Sequence, residues 1–312
     1  MRPRIGFLVP PPDWSALIVG VYEKAISLLH ADGALVSLVR GAEDMEARAI
    51  ALDESWDIFA WKAKQAFEEA GYKRQAYVDF RLPGSSGVNQ APCITLRIGE
   101  GYGGAEPSHG AQGFSLALDD AEPWDTRDEL RQGCRAALPA DGGLAAAIAA
   151  SLAMLKAFLA QTIPESSDGI GGGGSFGKAF TRLKERQDFP ACLVGFGPGT
   201  TPAGDDWLAG FLAAAELGGP LNRLAGLQAD IRQRLPSTGA AGRALLLGAI
   251  AGAPPAYLSR VRQACLRCAA DGGSALSLAI EAALGHGASS GRDSLEGFQA
   301  GLESIQDFSP RD

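Results

Sequence analysis

From residue 143 onward the chain alternates alanine- and leucine-rich stretches with short glycine, proline and serine breaks. The stretches fall at 143–162, 176–187, 202–217, 220–234, 239–251, 255–270, 273–284 and 290–304. Apolar residues in them recur at three- and four-residue intervals, which predicts helices, and their many small residues let helices approach closely. Before residue 140 the pattern is mixed. The segment 13–30 (DWSALIVGVYEKAISLLH) shows helical spacing that ends at His30, and ALVSLVR at 34–40 reads as a strand after the Asp32-Gly33 turn. Residues 54–70 predict a helix. AYVDFRL, CITLRIG and FSLALDD predict short strands, separated by turns at 83–87 and 101–104. The expected fold is α+β: an N-terminal mixed, strand-containing domain over 1–140, then a mainly α-helical domain over 141–312 that carries glycine-rich loops.

Composition narrows the class. The chain has 312 residues, 46% hydrophobic and 21% charged, as in ordinary globular proteins. Its net charge of −8 argues against nucleic acid or an anionic membrane as the main partner. The 41 glycines follow no period, which excludes collagen. Five cysteines are an odd number, and Cys265-x-x-Cys268 lies inside a predicted helix with no second pair to complete a zinc site. The N-terminal apolar run is too short for a signal peptide. The run 144–155 is interrupted by Ser151 and ended by Lys156, short of the roughly 20 residues that span a bilayer. These features predict a cytoplasmic protein.

The densest chemistry lies in GFGPGTTPAGDDWLAGF, residues 195–211. Gly195, Gly197 and Gly199 allow backbone angles closed to other residues and leave amide groups unshielded. Thr201-Pro202 reads as a helix start, with threonine as cap and proline in the first turn. A glycine loop entering a helix N-terminus is a ready anion site. On the helix that follows, Trp207, Leu208, Phe211 and Leu212 form an apolar face bordered by Asp205. Asp206 points the other way, along Ala209, Gly210 and Ala213.

The motif has an echo 87 residues later. Residues 204–211 (GDDWLAGF) and 291–298 (GRDSLEGF) share G-x-D-x-L-x-G-F, and both follow a glycine/hydroxyl loop, the second being GHGASSG. One explanation is a repeated capping box, Ser290-x-x-Asp293. The other is two related helix starts that bring Asp206 and Asp293 together. Paired carboxylates near an anion loop repel unless a divalent cation lies between them, and Mg²⁺ is commonly held by one or two carboxylates plus phosphate oxygens. This pattern predicts a Mg²⁺ or Mn²⁺ site. Weaker signals are G-x-x-x-x-G-K at 172–178, which lacks the Ser or Thr of a P-loop at position 179 and suggests instead a flexible loop carrying Lys178. His109 reads as a surface-turn residue, whereas His286 stands in the second glycine loop within reach of a substrate. Arg243 and Arg292 are candidates for a substrate carboxylate.

Over these two stretches the sequence resembles the AllH-like family, a family of unknown-function domains that includes a subunit of oxamate carbamoyltransferase from anaerobic allantoin breakdown. The family pattern G-x-G-P-G-L-T-P-S-G-D-D-F-L-A-G, then G-H-x-S-G-x-D-x-L-x-G, falls on Gly195, Gly197, Pro198, Gly199, Thr201, Pro202, Gly204, Asp205, Asp206 and Gly210. It resumes at Gly285, His286, Ser290, Gly291 and Asp293. Thr200 and Ala203 depart from it, and ALDDAEPWD (117–125) is similar to the segment before the family's helical part. The resemblance implies carbamoyl transfer between carbamoyl phosphate and oxamate, or oxalurate in reverse, shared with other subunits. The reading of the residues fits this: phosphate or substrate is expected on Gly195, Gly197, Gly199, Thr200, Thr201, Gly204, Ser290 and Gly291. Metal is expected on Asp206 and Asp293 with Asp205 assisting, and His286 and Arg292 are candidates for the chemistry. The alternatives are a non-catalytic scaffold subunit, or another metal-dependent enzyme of phosphorylated or amide-bearing small molecules.

Overall fold

The computed structural model describes residues 3–41, 46–70, 75–81, 93–99, 114–118, 121–125, 127, 143–162, 175–218, 224–287 and 289–307. The fold is α+β, with a strand-rich N-terminal region followed by a helical C-terminal region. The chain divides into two compact units, Met1–Asp125 and Thr126–Asp312. The predicted turns at 83–87 and 101–104, His109, and the glycines at 169–174 lie outside the described residues.

Among its described residues, the first unit is a nine-stranded sheet with one α-helix packed on it. Its strands are β1 Arg4–Gly6, β2 Trp14–Val21, β3 Ala25–Leu29, β4 Leu35–Val39, β5 Ala49–Ala51, β6 Gln75–Arg81, β7 Cys93–Gly99, β8 Phe114–Ala117 and β9 Glu122–Trp124, ordered β8-β7-β6-β2-β3-β4-β5-β1-β9. Neighbours are antiparallel except β4 with β5 and β1 with β9. Helix α1, Trp56–Ala70, buries Trp56, Phe59, Ala63, Ala66 and Ala70 in one core with Ile18, Ile26, Val78 and Ile94 of the sheet.

One prediction fails here. Residues 13–30 form the β2–β3 hairpin, not a helix. Trp14, Ala16, Ile18 and Gly20 turn inward at alternate positions, the period of a half-buried strand. β2 also pairs with β6, and β3 with β4, so the hairpin's backbone groups are satisfied on both flanks. His30 therefore follows a strand, with Nδ1 3.0 Å from Asp32 Oδ1.

The second unit contains α2 Gly143–Thr162, α3 Ser175–Leu183, α4 Ala203–Ala215, α5 Ala225–Arg234, α6 Ala240–Ile250, α7 Ala256–Asp271, α8 Ser274–Leu284 and α9 Ser290–Asp307. Every helical stretch read from the sequence after residue 140 has its counterpart. Helix α2 runs through Lys156. Among the described residues it is the one helix long and apolar enough to cross a membrane, with 19 residues at a mean hydropathy of 1.9. Core helices meet the same criterion. Ile148, Leu152, Leu155 and Leu159 of α2 enter the helical core, and Ser151 Oγ donates to the Cys265 carbonyl at 3.2 Å. Cys265 and Cys268 are buried core thiols. Helix α4 is the centre of the unit: from Ala203 to Ala214 all but Phe211 are buried.

Candidate functional site

Helices α4 and α9 carry the two G-x-D-x-L-x-G-F copies, and they pack backbone to backbone. A Cβ on Gly210 would overlap the Ser294 carbonyl oxygen, and a Cβ on Gly297 would overlap that of Trp207. Gly301 lies equally close to Phe211 and Ala214. The Thr201–Ser290, Trp207–Gly297 and Phe211–Gly301 contacts advance together along the two segments, so the helices run parallel with equivalent positions at similar heights. Glycine is required because any side chain at the contact would hold the helices apart. The starts of α4 and α9, with the positive ends of their dipoles, therefore lie at the same end of the pair.

That juxtaposition brings the two echoed acids into one electrostatic environment. Asp206 and Asp293 are 2% and 1% exposed. The Ser290 and Thr201 side chains hydrogen-bond to the Asp206 carboxylate, and the two hydroxyls lie 3.3 Å apart, joining the start of α9 to that of α4. Asp206 Oδ2 is buried with no hydrogen-bond partner among the described residues. Burial pushes Asp206 up to about 7, and the charges of Asp293 and Asp205 add to the rise. The Ser290 and Thr201 hydrogen bonds pull the other way but do not win.

Asp205 has a different task. Its Oδ1 accepts the Gly195 N–H at 2.8 Å, and its Oδ2 accepts the Thr238 hydroxyl. The carboxylate is fully buried against Gly242 in the first turn of α6, where a Cβ would overlap Oδ2. The N-cap of α6, Gly239, makes no side-chain cap bond, so Asp205 supplies the negative charge which that helix start favours. Burial raises its pKa, against the Thr238 and Gly195 hydrogen bonds. Of the three aspartates expected to bind metal, Asp206 and Asp293 interact electrostatically, while Asp205 is engaged by Gly195 and Thr238. Among the described residues no group of three or more His, Cys, Asp or Glu side chains is placed to hold a metal.

The glycine loop keeps the expected backbone. Gly195, Gly197 and Gly199 have φ of 75°, 110° and 106°, all left-handed. Several of its amides are already engaged. Gly195 N–H serves Asp205, Phe196 N–H goes to Leu193, Gly204 N–H to Phe196, and those of Asp205 and Asp206 to Pro202. The exposed lip of Gly199 and Thr200, with the half-exposed Gly197, is where an anion could reach the loop. Gly204 and Gly291 are packing glycines: a Cβ on either would overlap a carbonyl oxygen, of Leu193 or of Ala283. Thr201 is not the helix cap. Pro202 holds that position without a side-chain bond, and the threonine hydroxyl faces Ser290 and Asp206 instead. Ser290 likewise spends its hydroxyl across the helix pair.

The remaining candidates separate. His286 lies at the surface with its ring stacked on Tyr257, centroids 4.2 Å apart, and this covering lowers its pKa. The Tyr257 hydroxyl lies 2.9 Å from Ser294 Oγ, one residue from Asp293. Arg292 donates to Glu296 at 3.0 Å and to the Leu159 carbonyl at 3.3 Å. Arg243 binds the carbonyls of Leu235, Thr238 and Pro236. Lys178 is exposed on α3. Sequence reasoning missed Thr238 and Gly242, although Ser237-Thr238-Gly239 before an alanine-rich helix repeats the hydroxyl/glycine grammar of the other two loops.

A glycine loop and two parallel helix starts enclosing a buried acid pair define a paired-motif site, contained within the helical unit. The model of the family described as oxamate carbamoyltransferase subunit AllH matches residues 193–302. The match spans both motif copies, from the segment before the glycine loop to the body of α9, about a third of the chain. It is the family that those stretches resemble in sequence. No curated protein and no solved structure matches the chain.

Proposed function

We propose that this chain is a ligand-binding subunit of a carbamoyl-transferring complex, which takes carbamoyl phosphate as donor and a small amide or ureido acid such as oxamate or oxalurate. The family match supports the class. The observation that carries the site is the orphaned, buried Asp206 Oδ2, placed beside Asp293 at the shared N-terminal end of two helices and next to a glycine loop. In the transfer, the acceptor nitrogen attacks the carbamoyl carbon, and the bond from that carbon to the bridging anhydride oxygen breaks. Phosphate leaves with the electron pair and takes up the proton lost from the nitrogen, departing as hydrogen phosphate. Gly197, Gly199 and Thr200 would receive the phosphate through backbone N–H groups, at the positive end of α4.

The donors around Asp206 fit a hard cation. They are carboxylate and hydroxyl oxygens only, and one buried carboxylate oxygen lacks a partner. Asp206 and Asp293 would hold Mg²⁺ or Mn²⁺, with Thr201 and Ser290 beside them. Bound there, the ion supplies Lewis-acid stabilisation of developing negative charge and cancels the repulsion between the two acids. Thr201 and Ser290 orient Asp206, and the close glycine contacts of α4 and α9 hold the acids at one height. Asp205 shapes the loop from behind.

Calorimetric and paramagnetic-resonance titrations of Mn²⁺, with and without carbamoyl phosphate, test this reading on wild type and Asp206→Ala. Binding to wild type and its loss in the variant support the site. If the wild type binds neither ligand, the scaffold reading takes over, and the many glycines that serve packing favour it. Binding that survives Asp206→Ala unchanged would place the site elsewhere. Co-purification of partner subunits distinguishes a carbamoyltransferase complex from a free-standing metal-dependent enzyme.

A further inference from the structure

We infer that Thr238 and Arg243 are positioning residues for the glycine loop, and that the turn 235–239 with the start of α6 forms the loop's rear wall. The inference deepens the proposed function and rests on its reading of that loop as the ligand loop. The turn grips the loop at three places. A Cβ on Gly195 would overlap the Ser237 carbonyl oxygen, so the two backbones touch there. Thr238 donates to Asp205 Oδ2 while Gly195 N–H donates to Oδ1 of the same carboxylate, which ties turn to loop through one buried acid. At the far end, Gly239 lies near the Thr200 carbonyl oxygen.

The turn is itself pinned. Arg243 Nε donates to the carbonyls of Leu235 at 2.9 Å and Thr238 at 3.2 Å, and its terminal nitrogen donates to Pro236 at 3.2 Å. Ser237 Oγ adds a bond to the Arg234 carbonyl at 2.6 Å. An arginine whose donors are aimed at three carbonyls of one turn fixes the path of that turn. The chain of support runs Arg243, turn, Thr238, Asp205, Gly195. It ends on the first of three consecutive odd-numbered glycines with left-handed backbone, which cannot hold that shape by intrinsic preference alone. Gly242 is part of the device, because any side chain there would displace the carboxylate.

Hydrogen exchange of the full-length protein, followed by mass spectrometry, reads the device directly in Thr238→Val, Thr238→Ser and Arg243→Ala. Exchange at the hydrogen-bonded Gly195 and Phe196 amides should rise at least tenfold in Thr238→Val and Arg243→Ala. It should stay at the wild-type rate in Thr238→Ser, with amides inside α4 and α9 protected throughout. A loop that stays protected in Thr238→Val, or one that opens equally in Thr238→Ser, overturns the inference. Titration with inorganic phosphate supplies a second readout: affinity should fall at least tenfold in Thr238→Val and return in Thr238→Ser. Unchanged affinity in a variant whose loop has opened also overturns it. If the wild type binds no phosphate, the ligand reading of the loop falls, and the exchange data alone decide whether the turn positions the loop.

Discussion

Replacing Asp206 by asparagine should make the metal-free protein more stable at pH 8. The usual aspartate is stabilised by its folded surroundings; Asp206 is not. It is 2% exposed, and burial moves it from 3.8 to about 7. Between those values the folded state holds a proton that the unfolded state has lost, so stability falls as pH rises from about 4 to about 7 and is level on either side. A shift of about three units at about 1.4 kcal/mol each is a penalty of about 4 kcal/mol above pH 7. Asparagine removes it at nearly constant shape. It gives up a favourable helix-dipole interaction of about 0.3–1 kcal/mol and must place an amide group imperfectly, at about 1 kcal/mol. The net gain at pH 8 is then about 2 kcal/mol, and below pH 4 it turns into a small loss. Urea unfolding followed by far-ultraviolet circular dichroism, in chelator and across this pH range, measures the difference. An asparagine variant whose stability relative to wild type does not change with pH would refute the electrostatic account of the pair. Mn²⁺ should reverse the ranking by stabilising the wild type alone.

Gly210→Ala drives a methyl group into the Ser294 carbonyl and should cost roughly 3 kcal/mol, whereas Gly226→Ala, with nothing within 4 Å of its Cβ, should gain about 0.4–1 kcal/mol; thermal melts compare them. Arg262 and Glu216 form a 2.5 Å pair, 6% and 11% exposed. Arg262→Ala removes the cation paired with a nearly buried glutamate and should destabilise by more than the paired replacement Arg262→Met with Glu216→Leu, as urea unfolding would show. Cys265, whose thiol burial pushes up to about 12, and buried Cys268 should resist thiol reagents until the helical unit unfolds. Among the described cysteines, half-exposed Cys93 and Cys192 should label first in mass-spectrometric time courses, and burial raises the Cys192 pKa, so its labelling should be held back near neutral pH and climb under alkaline conditions.

The helical unit was legible because helix periodicity is a local property: alanine and leucine runs between glycine and proline breaks place α2 and α4 to α9 within a few residues. The paired acids were legible for a different reason. Their motif is repeated, and the repeat places equal chemistry at equal heights once the two helices run parallel. What failed was whatever depended on a partner far along the chain. Residues 13–30 satisfy both a helical and an alternating pattern, and only β6, β4 and α1, arriving from elsewhere, select the hairpin. Asp205 and Asp206 are adjacent in sequence and alike in charge, yet Thr238 and Gly242 claim one while Ser290 holds the other. Arg243 and Arg292 are candidates for a substrate carboxylate by sequence, and the fold engages donors of both on carbonyls and Glu296. Sequence alone determined which elements form and which residues carry charge, since both follow from neighbours a few positions away. Tertiary structure decided which donor each charge meets, because a buried carboxylate takes its role from whatever donor the fold brings to it.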